Sequence, residues 1–265
     1  MLDTSKAVEF ITRHGTDLDR YKYNFLFEKY RNDDEAVGFF EKSELESGGF
    51  PYLLDKQNPL SICETAFQLG SMVELDLFTT PLFQRTKNFL LSVQKDDSGW
   101  DENPELKKIG HSKYFAPGEI GTRTWLTGEI IRLIARDDEH ENPALKKACR
   151  FILDRFKGHS IEGSKISSFL ALASMAWTQT ENLEITRELS DVTGEWASAE
   201  QDGFLLGWYM DSLIESSHME GVFICLRSLQ VGQNEDGLWS SAEFPERPAR
   251  TVLTALRHLR WGKRW

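Results

Sequence analysis

The residues of this sequence whose types and spacing could do chemistry are two arginines, a few deeply placed carboxylates and a set of aromatic rings. Arg123-Thr124-Trp125 and Arg250-Thr251-Val252 repeat one pattern, and Glu64-Thr65-Ala66 puts a carboxylate at the matching point of a third segment. If each triplet opens a helix, Arg123 and Arg250 lie beside free backbone N–H groups, a combination that suits a phosphate or diphosphate. The plainer alternative is that they pair with Glu119, Glu129 and other carboxylates of an acidic chain. Asp211 and Glu129 are the acids set most deeply within apolar segments. A buried carboxyl must find a partner or hold its proton, so either is a candidate general acid, and a solvated helix face explains them equally well. Phe67, Trp125, Trp177, Phe204, Trp208 and Tyr209 share those segments. Their faces can line a cavity for an apolar chain, stabilise a cation, or simply pack as core. The histidines do not cluster in sequence, and none has a Ser, Cys or Asp at a diagnostic spacing, so a nucleophilic triad is not expected.

The elements that must position these groups read as helices. Apolar residues recur at helical spacing, and Gly, Pro and Asp/Asn clusters separate helix-length segments. Twelve helices are predicted near 4–14, 17–31, 33–46, 60–77, 81–95, 118–136, 142–157, 164–180, 183–199, 203–217, 218–231 and 248–261. They alternate in character. Pro143–Phe156 carries one charged face, as an outer helix should, whereas Ser164–Trp177 is small and apolar almost all round, as a buried inner helix should be.

Three segments share one grammar of apolar helix, polar turn, Gly and aromatic residue: VGFFEKSELESGGFP ending at Phe50, NFLLSVQKDDSGWDE with Gly99 and Trp100, and CLRSLQVGQNEDGLWSS with Gly237 and Trp239. Their spacing fits a period of about 46 residues, so six outer-plus-inner pairs fill the chain. The expectation is an all-α (α/α)6 toroid of about twelve helices in two concentric layers, formed by 1–265 as a single domain. Gly after the polar turn supplies a backbone conformation other residues resist, and Gln94 or Gln230 can satisfy free backbone groups at the helix end. The aromatic ring then wedges between neighbouring helix pairs.

Phe89-Leu-Leu-Ser-Val-Gln94 through Gly99-Trp100, and Leu226-Arg-Ser-Leu-Gln230 through Gly237-Leu-Trp239, resemble the QW repeats of triterpene cyclases and protein prenyltransferase β subunits. The resemblance implies an α/α toroid whose central cavity handles isoprenoids. It also implies an Asp-rich motif at an inner-helix start, and the stretch that matches is Ser61-Ile62-Cys63-Glu64-Thr65-Ala66. Cys63 stands where the family's proton-donating Asp would be. A thiol is a weaker acid than a carboxyl by about 4.6 pH units, roughly 6 kcal/mol against protonation. Glu64 has the right acidity but points about 100° away on a helix. In the prenyltransferase template Cys63 matches a zinc ligand, yet Ser61 replaces the Asp, and Arg123 or Thr124 stands where the His would be sought. One thiolate does not hold zinc, so neither a metal nor another cofactor is expected.

Composition bounds the partners. A net charge of −11 makes most of the surface field repulsive to nucleic acid and anionic lipid. Three distant cysteines without a CxxC pair argue against a disulfide framework. No apolar run reaches the roughly 18 to 20 residues of a membrane span, and the N-terminus does not read as a secretory signal, so a cytoplasmic location is expected; peripheral membrane contact remains compatible. The leading expectation is a toroid that binds an isoprenoid or similar long apolar molecule, with or without a diphosphate. If it is an enzyme, it is a noncanonical cyclase or prenyl-processing one, with Cys63, Glu64, Asp211 and Glu129 as the candidate catalytic groups. Phe67, Arg123, Trp125, Trp177, Trp208, Tyr209 and Arg250 are the candidate substrate contacts. The alternatives are a non-catalytic toroid that binds another protein, and a glycosidase with two facing carboxylates.

Overall fold

The computed structural model describes residues 4–139, 141–180 and 182–262. Twelve α-helices run along the described residues: α1 Thr4–His14, α2 Asp17–Glu28, α3 Asp33–Glu41, α4 Ile62–Glu74, α5 Pro81–Ser92, α6 Ile120–Ile134, α7 Pro143–Leu153, α8 Lys165–Thr178, α9 Leu183–Ala199, α10 Gly203–Glu215, α11 Met219–Val231 and α12 Pro248–Gly262. Their starts are set by local chemistry. Thr16 and Asp19 form a reciprocal capping box before α2. The Thr80 and Asn142 side chains cap α5 and α7, each followed by proline at the first helical position, where a missing N–H does no harm.

Three expected boundaries move for visible reasons. The helix expected over 33–46 stops at Glu41, because the chain turns there toward a two-stranded antiparallel sheet, β1 (Phe50–Pro51) on β2 (Leu60–Ser61). The same sheet takes the first two residues of the helix expected from 60. The helix expected to reach 157 ends at Leu153, since Phe156 pairs as an isolated bridge with Ile161.

Two compact units divide the chain, one of Met1–Asn32 with Ser190–Trp265 and one of Asp33–Leu189. In the second, α4 packs on α6 and α6 on α8, with α5 beside α4 and α7 beside both α6 and α8. Ile62–Val73 of α4, Thr124–Ile134 of α6 and Ile166–Met175 of α8 are buried without interruption. By contrast α7 buries Leu145, Ala148, Cys149, Phe151 and Ile152, one face only. Leu145, Phe151 and Ile152 each contribute about 1.5 to 3 kcal/mol on leaving water. The first unit repeats the scheme: α10 is buried from Gly203 to Met210 and packs on α11 and α12, and α12 also meets α1 and α2. Glycines set the closest approaches. A Cβ on Gly128 would lie 2.7 Å from Leu170 Cβ, and one on Gly207 would lie 2.1 Å from the Thr254 methyl.

The three repeated turns have one geometry. In the first, Leu45 N–H donates to Gly49 O and Gly48 N–H to Leu45 O; Lys95, Ser98 and Gly99 do the same in the second, and Asn234, Gly237 and Leu238 in the third. The left-handed residue is Gly48, Ser98 or Gly237 in turn, so in the second repeat a serine takes the conformation expected of glycine. Gly99 is needed instead for space, because a Cβ there would sit 2.7 Å from the Phe151 ring. The glutamines are Gln94, donating to Ser98 O at 2.8 Å, and Gln233, donating to Gly237 O at 2.7 Å. Gln230, expected in that role from the sequence, lies one helical turn too early. The Trp100 and Trp239 indole N–H groups donate to Leu90 O and Leu229 O, both ten residues back. Both rings are buried, and each ties its turn to the helix before it.

Candidate functional site

The start of α4 is where the structure gathers the most functional groups. Ser61 caps the helix through its hydroxyl, which accepts from Glu64 N–H. That same hydroxyl donates to Glu102 Oε2 at 2.7 Å, while Ile62 and Cys63 N–H groups donate to the Glu102 carboxylate at 2.7 and 3.0 Å. Asn103 N–H adds a fourth donor. A carboxylate brought from a distant loop thus satisfies the free N–H groups of a helix start and meets the positive end of its dipole. Burial nonetheless pushes the Glu102 carboxyl above its ordinary value, against the lowering effect of these donors.

Cys63 is fully buried beside it, its sulfur 3.9 Å from Tyr114 O. Burial, then the neighbouring Glu102 carboxylate, raises its thiol well above the ordinary range. A thiol in that setting keeps its proton, which works against both nucleophilic attack and metal ligation. Glu64, also buried, points elsewhere, accepting from Leu53 N–H at 3.3 Å and Gln68 Nε2 at 2.8 Å. Phe67 stacks on Trp125 at 5.8 Å and meets Phe115 edge-on at 5.6 Å, and the Trp125 indole N–H donates to Tyr114 O. Cys63, Phe67 and Trp125 are therefore brought into one neighbourhood, with Glu102, Tyr114 and Phe115.

The remaining candidates are dispersed and partnered. Glu129 forms a buried bidentate pair with Arg132, one helical turn along α6, at 2.7 and 3.0 Å. Arg123 grips both oxygens of Asp97 at 2.7 and 2.8 Å and lies 5.0 Å over the Phe151 ring. The pair holds the Asp97 carboxyl below its ordinary value, although burial alone would raise it. Trp177 is half-buried near the end of α8. In the unit of α10, Asp211 accepts from Arg257 at 2.6 Å, with His258 Nε2 3.5 Å from its other oxygen. Tyr209 OH donates to Glu200 at 3.4 Å. Trp208 packs with Phe204 and Phe244, and the Arg250 guanidinium lies over the Phe204 ring at 5.7 Å.

Glu102 is the residue that sequence reasoning missed, and its role is repeated. Asp202 caps α10 by accepting from Phe204 and Leu205 N–H, while its other oxygen takes the Ser241 hydroxyl at 2.8 Å and Ala242 N–H at 2.8 Å. The two pins exchange partners. In one the helix cap is the serine and the loop brings the acid; in the other the cap is the acid and the loop brings the serine. A group that recurs in both units is best explained as architecture. Its signal in the sequence was the short polar run after each repeat tryptophan, Asp101-Glu102 and Ser240-Ser241. Among the described residues no cluster of three His, Cys, Asp or Glu side chains is placed to hold a metal ion. No helix among them is long and apolar enough to cross a membrane.

No family model matches the chain, and no curated protein matches it in sequence. Among solved structures it is similar to a crystal structure of a protein from Actinoplanes, with a TM-score of 0.62 at 13% identity, over 97% of this chain and 99% of that one. At that identity the likeness is one of fold alone.

Proposed function

We propose that the chain is a terpene-cyclase- and prenyltransferase-like (α/α)6 toroid that holds a long, neutral apolar molecule of the isoprenoid kind and does not protonate it. The repeated turns with their buried tryptophans support the toroid reading. The observation that carries the loss of chemistry is the state of the acids. Glu129 is neutralised by Arg132, Asp211 by Arg257, and Glu102 is saturated by four donors. Cys63 keeps its proton too tightly to give it to an alkene. Arg123 is committed to Asp97, which favours an alcohol or hydrocarbon over a diphosphate. In this reading the aromatic faces that meet the ligand are Phe67, Trp125 and Trp177 on α4, α6 and α8; Trp208 and Tyr209 on α10 are their counterparts in the other unit.

The test is to incubate the protein with squalene, geranylgeraniol and geranylgeranyl diphosphate, then analyse bound ligand and product by mass spectrometry and chromatography. Retention of a neutral chain, without cyclised product, is expected. Efficient cyclisation would sink the proposal, and if it survived Cys63→Ala the acid would be sought at Glu102, Asp211, Glu129 and Glu64. A second reading, a protein-interaction module, rests on the exposed Phe223 and Val231 of the outer-type helix α11, at 52% and 77% accessibility. Failure of every apolar chain to bind, with capture of a protein partner lost on Phe223→Ser, would favour it.

A further inference from the structure

A second place in the fold carries groups for which the toroid reading has no use. Ser190 on α9 and His218, immediately before α11, lie 28 residues apart in sequence and hydrogen-bond at 2.5 Å between Oγ and Nε2. The other ring nitrogen, Nδ1, is 3.0 Å from Ser216 Oγ. The Ser216 hydroxyl donates to Ser212 O at 2.8 Å, so toward the ring it accepts from Nδ1–H, and Nε2 is left to accept the Ser190 proton. Burial pushes the His218 ring below its ordinary value, so it is neutral at pH 7. A neutral imidazole accepting from a serine hydroxyl is the arrangement that prepares serine as a nucleophile.

Both residues line a cavity of about 400 Å³. Its apolar lining comes from Leu213, Met219 and Ile224, and its acidic lining from the exposed Asp191, Glu195 and Glu220. Helix α11 begins here without a side-chain cap; its Met219 N–H bonds to Ser217 O, while the next two residues, Glu220 and Gly221, line the cavity. Free N–H groups at a helix start suit negative charge developing on a carbonyl oxygen.

We infer that Ser190 and His218 form an acyl-transfer site for a small ester whose alcohol part is cationic. Ser190 Oγ bonds to the ester carbon as its proton passes to His218 Nε2. The carbon–oxygen bond to the alcohol then breaks, and the alcohol leaves with that proton. Water, giving a proton to the same nitrogen, attacks the acyl-serine; the acid departs and Ser190 recovers its hydroxyl. The apolar residues receive the acyl group and the three carboxylates attract the cation. Ser216 is a positioning residue: being neutral, it orients the ring without stabilising the imidazolium as a carboxylate would, so turnover is slow.

The experiment treats the full chain with a fluorophosphonate and maps the adduct by peptide mass spectrometry. One equivalent on Ser190 is expected, with labelling abolished in Ser190→Ala and slowed about a hundredfold or more in His218→Gln, the scale of lost general-base assistance. The labelling rate should rise with pH through a value below 6.5 and then level off, and Ser216→Ala should shift that profile. Acetylthiocholine should be hydrolysed faster than an uncharged thioester of equal size. No adduct on wild type, or an adduct elsewhere, overturns the assignment whether or not the variants fold. Ligand retention by the aromatic inner helices is read separately, so its failure leaves this result standing.

Discussion

At the scale of single residues, burial decides what the candidate groups can do. Cys63, Cys149 and Cys225 are all free and buried, and burial raises each thiol, Cys225 to about 12. A thiol-specific reagent such as Ellman's should therefore find almost no reactive sulfur in the native protein at pH 8 and three after denaturation; fast reaction of one equivalent would show an exposed thiolate. Glu102 offers a pH test. Its carboxyl is raised above the ordinary value of 4.5, so the folded chain binds the proton more tightly than the unfolded chain. Its contribution to stability is then greatest below about pH 4.5 and falls as pH rises through the folded value. Replacing Glu102 by Gln should destabilise by about 1 to 3 kcal/mol through lost donors' partners, most at low pH. The gap in urea midpoint should narrow toward neutrality. A gap that widens would mean that the four donors hold the carboxylate more strongly than burial opposes it.

At the scale of elements, the repeated turn should behave as one device used several times. Trp100→Phe and Trp239→Phe each remove an indole N–H and leave a buried carbonyl, of Leu90 or Leu229, without that donor. Each should cost about 1 to 3 kcal/mol in chemical denaturation, and by similar amounts; a neutral effect at either position would break the equivalence. The helices themselves were legible because burial of one face leaves a period in the sequence, and α1 and α9 fall where the spacing put them. The repeat was legible through its Gly and Trp. Its finer parts were not. Gln230 lies at the helix end, yet Gln233 keeps the distance that separates Gln94 from its tryptophan, and the turn's hydrogen bonds select Gln233. The pin between Ser61 and Glu102 spans 41 residues, so no local pattern announces it. Ser190 and His218 escaped for the same reason: the sequence holds no rule that brings the middle of one helix to the start of the next but one. Of the two acids expected to be buried, Glu129 is and Asp211 is only half-buried, and their partners Arg132 and Arg257 were not foreseen.

At the scale of the whole molecule, a net charge of −11 acts on anything that approaches. A geranylgeranyl diphosphate anion meets a repulsive average field, while geranylgeraniol meets none. Of the two candidate anion contacts, Arg123 at the start of α6 already holds both oxygens of Asp97 and lies near Asp101, and Arg250 lies over the Phe204 ring. The alcohol should therefore bind more tightly than the diphosphate at low ionic strength. Raising salt shortens the screening length to about 8 Å at 0.15 M and 3 Å at 1 M. The diphosphate should then gain affinity and approach the alcohol, whose own affinity rises only slightly as salt strengthens apolar burial. Calorimetric titration of both ligands across that salt range reads the two trends directly. Tighter binding of the diphosphate at low salt, weakening as salt rises and lost on Arg123→Ala, would instead show that Arg123 exchanges Asp97 for the ligand and that a local cationic pocket outweighs the charge of the chain.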